Sequence, residues 1–240
     1  MRLHVAFLPH LVRPGAQVCI VIDVIRASTS LVTLVERGAS RILIASDVAT
    51  ARAVAPRYEG AALAGELDGL APPGFDYGNS PVELSKADVA RRPVVFITTN
   101  GTAAIRAVER SGPVLVGALR NAAAVCADAW EVASGQEKDL TIVCAGREGA
   151  FGIDDAYTAG CLASQLMAVH AWTLTDGAEA AVRLYRSAPD PLELFQRSAA
   201  GQNVTRLGLG HDIEFCARRD VSTAVPRLGR ELVIVEGEGQ

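Results

Sequence analysis

The sequence has no long apolar segment and no surplus of positive charge. No apolar run approaches the roughly 18 residues that a membrane-spanning helix needs, and the N-terminal segment alternates like a strand, without the apolar core of a signal peptide. We therefore expect a soluble, cytoplasmic protein with no membrane partner. The formal net charge of −4 argues against nucleic acid as a partner, because binding a phosphate backbone needs a cationic surface. Local basic clusters can still bind a small anion.

The sequence also lacks the patterns of several common sites. It contains no P-loop, no G-x-G-x-x-G dinucleotide fingerprint, no G-x-S-x-G nucleophile turn and no H-E-x-x-H metal motif. The cysteines form no C-x-x-C pair, and we interpret them as buried, reduced thiols. They are Cys19, Cys126, Cys144, Cys161 and Cys216.

What the chain does have is many small and aliphatic residues. Half of its residues are apolar but only 5% are aromatic, a mixture that suits helices packed closely on a sheet. Short apolar runs alternate with helical patterns through the first two-thirds of the chain. The predicted strands are Val18 to Ile22, Arg41 to Ala45, Val94 to Thr98, Val114 to Gly117 and Leu140 to Cys144. The predicted helices between them are Ser28 to Arg37, Asp47 to Ala55, Thr102 to Arg110 and Ala122 to Ala133.

This alternation predicts an α/β fold, a three-layer α/β/α arrangement with a largely parallel or mixed sheet. The last third is helix-rich, with helices over Ile153 to Ala171, Asp176 to Ser187 and Pro191 to Ala200 and a late strand over Glu231 to Glu236. We expect a single domain over residues 1–240, with two closely packed α/β halves as the alternative.

The first polar cluster follows a predicted strand directly. It runs from Asp23 to Thr29 and leads into a helix. In open α/β sheets, ligands bind beyond the carboxyl ends of the strands. An aspartate there can bind a hard cation or attack phosphorus, and Arg26 can form paired hydrogen bonds to phosphate oxygens. The alternative is structural, with Asp23 and Ser28 as turn and cap residues and Arg26 in a surface ion pair.

A second cluster, Thr98 to Thr102, also joins an apolar strand to a helix. Its hydroxyls, its glycine and the N–H groups of the helix start are suited to bind phosphate. A plain helix cap is the competing explanation.

A third cluster lies in a loop, Gly65 to Pro81, which is rich in glycine and proline. Loops of this length in compact domains are often functional. Glu66 offers a carboxylate for a metal, whereas Asn79 and Ser80 lie in a Gly-Asn-Ser-Pro segment that is equally typical of a simple turn.

The fourth cluster runs from Cys144 to Asp155, again after an apolar strand. Asp154 and Asp155 begin a helix, where the helix dipole favours acids. Two adjacent ionised carboxylates are costly without a cation, so a metal would account for both. Acids that hold Mg²⁺ and a guanidinium that holds phosphate are the equipment of phosphoryl transfer.

Taken together, these clusters resemble the 2-phosphosulfolactate phosphatase family. The matching stretches are Asp23 to Thr29, Gly65-Glu66, Gly74 to Pro81, Thr99 to Thr102 and Cys144 to Gly160, with weaker similarity at Asn203, Leu207-Gly208 and Asp212. The resemblance therefore covers most of the chain, with the motifs in the expected order.

The resemblance implies a Mg²⁺-dependent acid phosphatase with an α/β/α fold that forms a homodimer and acts on a small anionic phosphate ester. The named reaction converts 2-phosphosulfolactate to sulfolactate and phosphate, in coenzyme M biosynthesis and sulfonate metabolism. Carried onto this sequence, the metal candidates are Asp23, Glu66, Asp154 and Asp155, and the catalytic candidates are Asp23, Arg26 and Asp155. The phosphate- or substrate-binding candidates are Arg26, Asn79, Ser80, Thr99, Asn100, Gly101 and Thr102.

The chain departs from the family pattern at two positions. Leu67 stands where many members have a basic residue, and Asp154-Asp155 stands where relatives often have Glu-Asp. The first departure motivates an alternative, hydrolysis of another phosphorylated hydroxy acid. A non-catalytic module that binds a phosphorylated metabolite is a further alternative. The sequence leaves open whether Asp23 forms a phospho-enzyme or holds metal.

Overall fold

The strands form two separate sheets, and every strand pair in them is parallel. The computed structural model describes residues 1–13 and 15–236. The first sheet has the order β6-β2-β7-β1-β8 and the second has the order β4-β5-β3-β9. The strands are β1 (Arg2–Ala6), β2 (Val18–Ile22), β3 (Arg41–Ile44), β4 (Ala62–Gly65), β5 (Pro93–Ile97), β6 (Val114–Val116), β7 (Leu140–Cys144), β8 (Thr173–Leu174) and β9 (Leu232–Ile234).

Helices cover both faces of the sheets. They are α1 (Ala27–Glu36), α2 (Val48–Val54), α3 (Pro81–Leu84), α4 (Gly101–Val108), α5 (Ala122–Gly135), α6 (Ile153–Val169), α7 (Asp176–Ser187), α8 (Pro191–Arg197), α9 (Ala199–Arg206) and α10 (His211–Ala217). None of the helices in the described ranges is long and apolar enough to cross a bilayer.

The two sheets enclose a shared apolar layer. Because side chains alternate along a strand, Ile20 faces a cluster with the C-terminal helices, whereas Val21 faces the second sheet. Val21 belongs to one cluster with Phe96 of β5 and with buried residues of α1 and α4, such as Leu31 and Ile105. Strands buried on both faces read as continuous apolar runs, which is why the sequence predicts them well.

The predicted α/β class is confirmed, and the strands are divided between two sheets where we expected one. The five strands predicted in the first two-thirds of the chain are present, with ends within one residue. The predicted helix Pro191 to Ala200 is wrong as a single element. It ends before Ser198, which has extended backbone angles and whose Oγ accepts from the N–H of Gly201 to begin α9. The late strand is shorter than predicted, Leu232–Ile234.

The cysteine prediction is confirmed. All five cysteines are buried free thiols in the described ranges. They lie in strands β2 and β7 and in helices α5, α6 and α10, where each fills space between apolar neighbours. Burial raises the pKa of the Cys161 thiol, so these thiols stay protonated and unreactive.

Candidate active site

The carboxyl ends of four strands from both sheets meet at one pocket of about 440 Å³. Asp23 follows β2, Glu66 follows β4, Thr99 follows β5, and Asp154 lies at the start of α6 after β7. The strands of each sheet are parallel, so their carboxyl ends reach the same edge. A pocket of this volume suits a small metabolite.

Asp23 lies at the floor of this pocket. Its Oδ1 accepts from the N–H of Ala27 at 3.3 Å, which holds the carboxylate against the first turn of α1. Burial raises the pKa of Asp23 to about 7; the Ala27 N–H lowers this pKa, and the charges of Glu66 and Asp154 raise it. A cation in the pocket would therefore stabilise the ionised form.

Asp155 uses both carboxylate oxygens to bind backbone. Oδ1 accepts from the N–H of Val24 at 2.8 Å and Oδ2 accepts from the N–H of Gly146 at 3.0 Å. Burial, together with the charges of Asp154 and Asp23, raises its pKa above the ordinary value. Asp155 thus joins the turns that follow β2 and β7.

Like Asp155, Glu66 joins two turns through backbone N–H groups, here the turns that follow β4 and β5. Its Oε1 accepts from the N–H of Thr99 at 2.6 Å, and its Oε2 accepts from the N–H of Gly69 at 2.6 Å and from Thr99 Oγ1 at 3.2 Å. Short hydrogen bonds to an ionised acceptor are the strong ones. Glu66 therefore fixes the second sheet's side of the pocket.

Asp154 faces the pocket beside Asp155 and is buried. Burial raises the pKa of Asp154 to about 6, whereas backbone N–H groups at the start of α6 and the charge of Arg147 lower it. Asp23, which is partly buried, and Asp154 thus line one pocket, and the negative charge of Asp154 raises the pKa of Asp23.

Arg26 is buried, contrary to the alternative of a surface ion pair. Its Nη1 donates to Asp212 Oδ2 at 3.0 Å and its Nη2 donates to the carbonyl oxygen of Gly69 at 2.7 Å. Asp212 Oδ1 also accepts from Ser80 Oγ at 2.6 Å. Arg26 still lines the pocket, because a guanidinium has five N–H donors and these contacts use two of them.

The turn before α4 is held by its own side chains. The N–H of Thr102 donates to Thr98 Oγ1 at 3.0 Å, and the N–H of Thr98 donates to Thr102 Oγ1 at 3.1 Å. Asn100 Oδ1 accepts from the N–H of Glu148 at 3.0 Å, which ties this turn to the one after β7. A Cβ at Gly101 would come within 3.0 Å of Asp23 Oδ2, so this turn needs glycine to approach the carboxylate.

The structure brings most of the predicted site residues to the pocket wall. Those that line it are Asp23, Arg26, Glu66, Asn79, Thr99, Asn100, Asp154 and Asp155. The other three do not line the pocket, but they contact residues that position its wall, as described above. They are Ser80, Gly101 and Thr102. Asn79 stands out because its Oδ1 is buried and has no hydrogen-bond partner among the described residues.

Two arginines that line the pocket, Arg147 and Arg197, were missed by sequence reasoning. A basic residue in the glycine-rich turn directly after β7 was a signal for Arg147. Arg197 ends α8, and only the packing of α8 and α9 over the strand ends brings it to the pocket. No local pattern in the sequence carries that information.

Comparison with known proteins settles the family. A family model described as 2-phosphosulpholactate phosphatase matches residues 7–231. The chain belongs to the 2-phosphosulfolactate phosphatase family. A probable 2-phosphosulfolactate phosphatase of Deinococcus radiodurans is 44% identical over 229 residues, which cover 95% of this chain and 93% of the relative. Its counterpart from Thermus thermophilus is 42% identical over 240 residues, covering 97% and 98% of the two chains.

The resemblance inferred from the sequence motifs is thereby confirmed. Further relatives include a probable 2-phosphosulfolactate phosphatase of Thermotoga petrophila, 34% identical over 218 residues and 90% of this chain. Of the two departures from the 2-phosphosulfolactate phosphatase pattern, Leu67 is exposed and does not line the pocket, whereas Asp154-Asp155 does.

The acids of the pocket fit a magnesium ion that is held by only one or two protein carboxylates. In the described ranges, no three His, Cys, Asp or Glu side chains are grouped so that they alone could hold a metal. Mg²⁺ does not need such a group, because one or two carboxylates commonly hold it while water and substrate phosphate complete its shell. Asp23, which is partly buried, and Asp154, which is buried, line one pocket with raised pKa values and match that requirement.

Proposed function

We propose that this chain hydrolyses 2-phosphosulfolactate to sulfolactate and phosphate with the help of Mg²⁺. The observation that carries the proposal is the pair of acids formed by the partly buried Asp23 and the buried Asp154, which face one pocket with the guanidinium of Arg26 in a chain of this family. Carboxylates for a hard cation and a fixed guanidinium for phosphate oxygens are complementary to a phosphate ester.

Asp23 and Asp154 are the proposed metal ligands. Glu66 and Asp155 instead hold backbone N–H groups with both of their oxygens, so we assign them to positioning the turns. When bound, Mg²⁺ would offset the charge of the phosphate oxygens and lower the cost of bringing the ester against the carboxylates.

Arg26 is the proposed phosphate-binding residue. Its contacts with Asp212 and Gly69 fix the plane of the guanidinium before substrate arrives, which limits the entropy lost on binding. Asn79 Oδ1 is a buried acceptor in the same wall, suited to accept from a hydroxyl or a water molecule beside the ester.

Hydrolysis then needs one water molecule. Its oxygen forms a bond to phosphorus, the bond between phosphorus and the alcohol oxygen breaks, and a proton from the water passes to the alcohol oxygen. The protein contributes position and charge: Arg26 orients the phosphate, and the turns braced by Glu66 and Asp155 keep the carboxylates in place. Homodimer formation, which the resemblance implies, and the cytoplasmic location expected from the sequence stay predictions.

Phosphate release by the purified protein tests the proposal. We expect release from 2-phosphosulfolactate that requires Mg²⁺ and stops with EDTA, and at least a hundredfold loss of kcat (about 3 kcal/mol) in Asp23→Asn. Asp88→Asn is the matched control, because Asp88 is exposed and lies outside the pocket. Phosphate release by the wild type that is unchanged by EDTA would refute the metal assignment. An Asp23→Asn variant as active as the control would refute the role of Asp23.

A further inference from the structure

A second arginine, Arg147, lies at the pocket on a rigid turn. Its N–H donates to the carbonyl oxygen of Ala150 at 2.9 Å, and the N–H of Ala150 donates back to the carbonyl oxygen of Arg147 at 2.8 Å. Hydrogen bonds also fix the residues on either side. The N–H of Gly146 donates to Asp155 Oδ2, and the N–H of Glu148 donates to Asn100 Oδ1. The backbone that carries this guanidinium is therefore fixed to the site from both sides.

The guanidinium of Arg147 itself is held far more loosely than that of Arg26. Its Nη1 lies 3.2 Å from the carbonyl oxygen of Ala199, and its other contacts are with Glu148 Oε1 at 3.4 Å. The side chain of Glu148 is 71% exposed, and exposed pairs of this kind contribute little. Arg147 is thus a cation at the pocket wall that can exchange its present contacts for a ligand at low cost.

Arg147 lies near the acids of the pocket, at a position where its charge can also attract an anionic group of a ligand. Its charge reaches Asp154, where it opposes the effect of burial on the pKa of that carboxyl. On its other side, the guanidinium donates to the carbonyl oxygen of Ala199, the first residue of α9. It therefore spans the gap between the turn after β7 and the wall formed by α8 and α9. A group of the ester that points from Asp154 toward α8 and α9 would enter this gap.

The proposed substrate has acidic groups that the reaction leaves unchanged. Sulfolactate carries a carboxylate and a sulfonate, and both would be repelled by the carboxylates of the pocket. Of the arginines at the pocket, Arg26 is engaged with Asp212, and Arg197 is directed to solvent with a side chain that is 80% exposed. Arg147 is the arginine placed to offset this charge.

We propose that Arg147 binds the acidic groups on the alcohol part of the ester and so determines which phosphate esters are hydrolysed. This inference rests on the proposed function. A planar guanidinium matches the oxygen spacing of a carboxylate or sulfonate with two parallel hydrogen bonds. Arg147 is a binding residue in this assignment and takes no part in bond breaking.

The test compares three phosphate esters with wild type, Arg147→Gln and Arg147→Lys. The esters are 2-phosphosulfolactate, 2-phospholactate, which lacks the sulfonate, and isopropyl phosphate, which lacks both acidic groups. Arg183→Gln is the matched control, because Arg183 lies on α7 with an exposed side chain. For Arg147→Gln we expect kcat/KM on 2-phosphosulfolactate to fall about 10- to 100-fold, chiefly through KM, with isopropyl phosphate within about threefold of wild type.

Arg147→Lys should recover part of the loss, since it keeps the charge without the paired geometry. A fall with 2-phospholactate as large as that with 2-phosphosulfolactate would place the carboxylate on Arg147, and a fall confined to the sulfonate ester would place the sulfonate there. Equal losses on all three esters would overturn the inference, because they would indicate a structural role or a contact with phosphate. So would an unchanged kcat/KM on 2-phosphosulfolactate.

The failure of the inference can be told apart from the failure of the proposed function. If wild type releases no phosphate from 2-phosphosulfolactate, the proposed function is refuted. Calorimetric titration with sulfolactate then still tests Arg147. Binding at least tenfold weaker to Arg147→Gln than to Arg183→Gln supports the assignment, whereas equal binding, or none to wild type, overturns it.

Discussion

Arg26 and Asp212 form a buried ion pair that joins the first turn of the pocket to the helices of the C-terminal third. Nη1 of Arg26 lies 3.0 Å from Oδ2 of Asp212, and both side chains are almost fully buried. The two residues are 186 positions apart in the chain. Asp212 also accepts from Ser80 Oγ, so three distant segments meet at one carboxylate.

Removing Asp212 should destabilise the protein strongly. In Asp212→Ala the charge of Arg26 stays buried without its partner, and we expect the free energy of unfolding to fall by about 3–5 kcal/mol. Urea unfolding measures this loss. Glu179→Ala, which breaks an exposed pair with Arg183, is the reference and should cost less than about 1 kcal/mol. A loss in Asp212→Ala no larger than the reference would contradict the prediction.

Gly101→Ala should impair the site. A Cβ at this position would lie 2.6 Å from Ala27 Cβ and 3.0 Å from Asp23 Oδ2, so α4 must move away from Asp23. We expect a loss of about 1–3 kcal/mol in the free energy of unfolding and weaker Mg²⁺ binding by calorimetry. Gly135→Ala is the matched control at the end of α5, where a Cβ meets nothing within 4 Å. Equal behaviour of the two variants would show that the close approach does not matter.

The acids of the pocket predict how stability depends on pH. Burial raises the pKa of Asp23 from 3.8 to about 7 in the folded protein. The unfolded chain therefore loses this proton first, and stability falls as pH rises from about 4 through 7. With EDTA, we expect wild type to melt at a lower temperature at pH 8 than at pH 5, and Asp23→Asn to show a smaller drop.

Mg²⁺ should reverse this trend, because it binds the ionised carboxylates. Its addition is expected to raise the melting temperature more at pH 8 than at pH 5. Thermal unfolding with and without Mg²⁺ at both pH values measures the difference. The prediction is wrong if Asp23→Asn follows the same pH dependence as wild type, or if the effect of Mg²⁺ is greater at pH 5.

Leu67→Lys tests whether the departure from the family pattern affects the reaction. Leu67 is exposed, does not line the pocket and lies in a tight turn with Leu70. We therefore expect kcat/KM on 2-phosphosulfolactate to change by less than about threefold, a difference smaller than 1 kcal/mol. Leu70→Lys, an equally exposed position in the same turn, is the control. A gain of tenfold or more in Leu67→Lys alone would show that a basic residue at position 67 reaches the substrate.

Much of the site was predictable because parallel strands end at a common edge. Asp23, Thr99 and Asp154 each come directly after a predicted strand or at the following helix start, so their position in the sequence already placed them together. Strand β4 escaped prediction because Ala62–Gly65 contains no β-branched or aromatic residue.

The partners of these residues were not predictable in the same way. Asp212 contacts Arg26 only after the C-terminal helices have packed over the strand ends, and no local pattern records that contact. The division of the strands into two sheets was hidden for a related reason. The central strands β2, β5 and β7 are buried on both faces, so the apolar pattern does not indicate which strands are their neighbours.

The order of strands in the first sheet has a consequence for synthesis on the ribosome. Strand β1 emerges well before its two neighbours, β7 and β8, so Leu3 has to wait for Leu140 and Leu174. Until then both edges of β1 lack their native hydrogen-bond partners, and unpaired edges invite association with other chains. The nascent protein is thus open to aggregation through β1 for most of the time that this sheet takes to be synthesised.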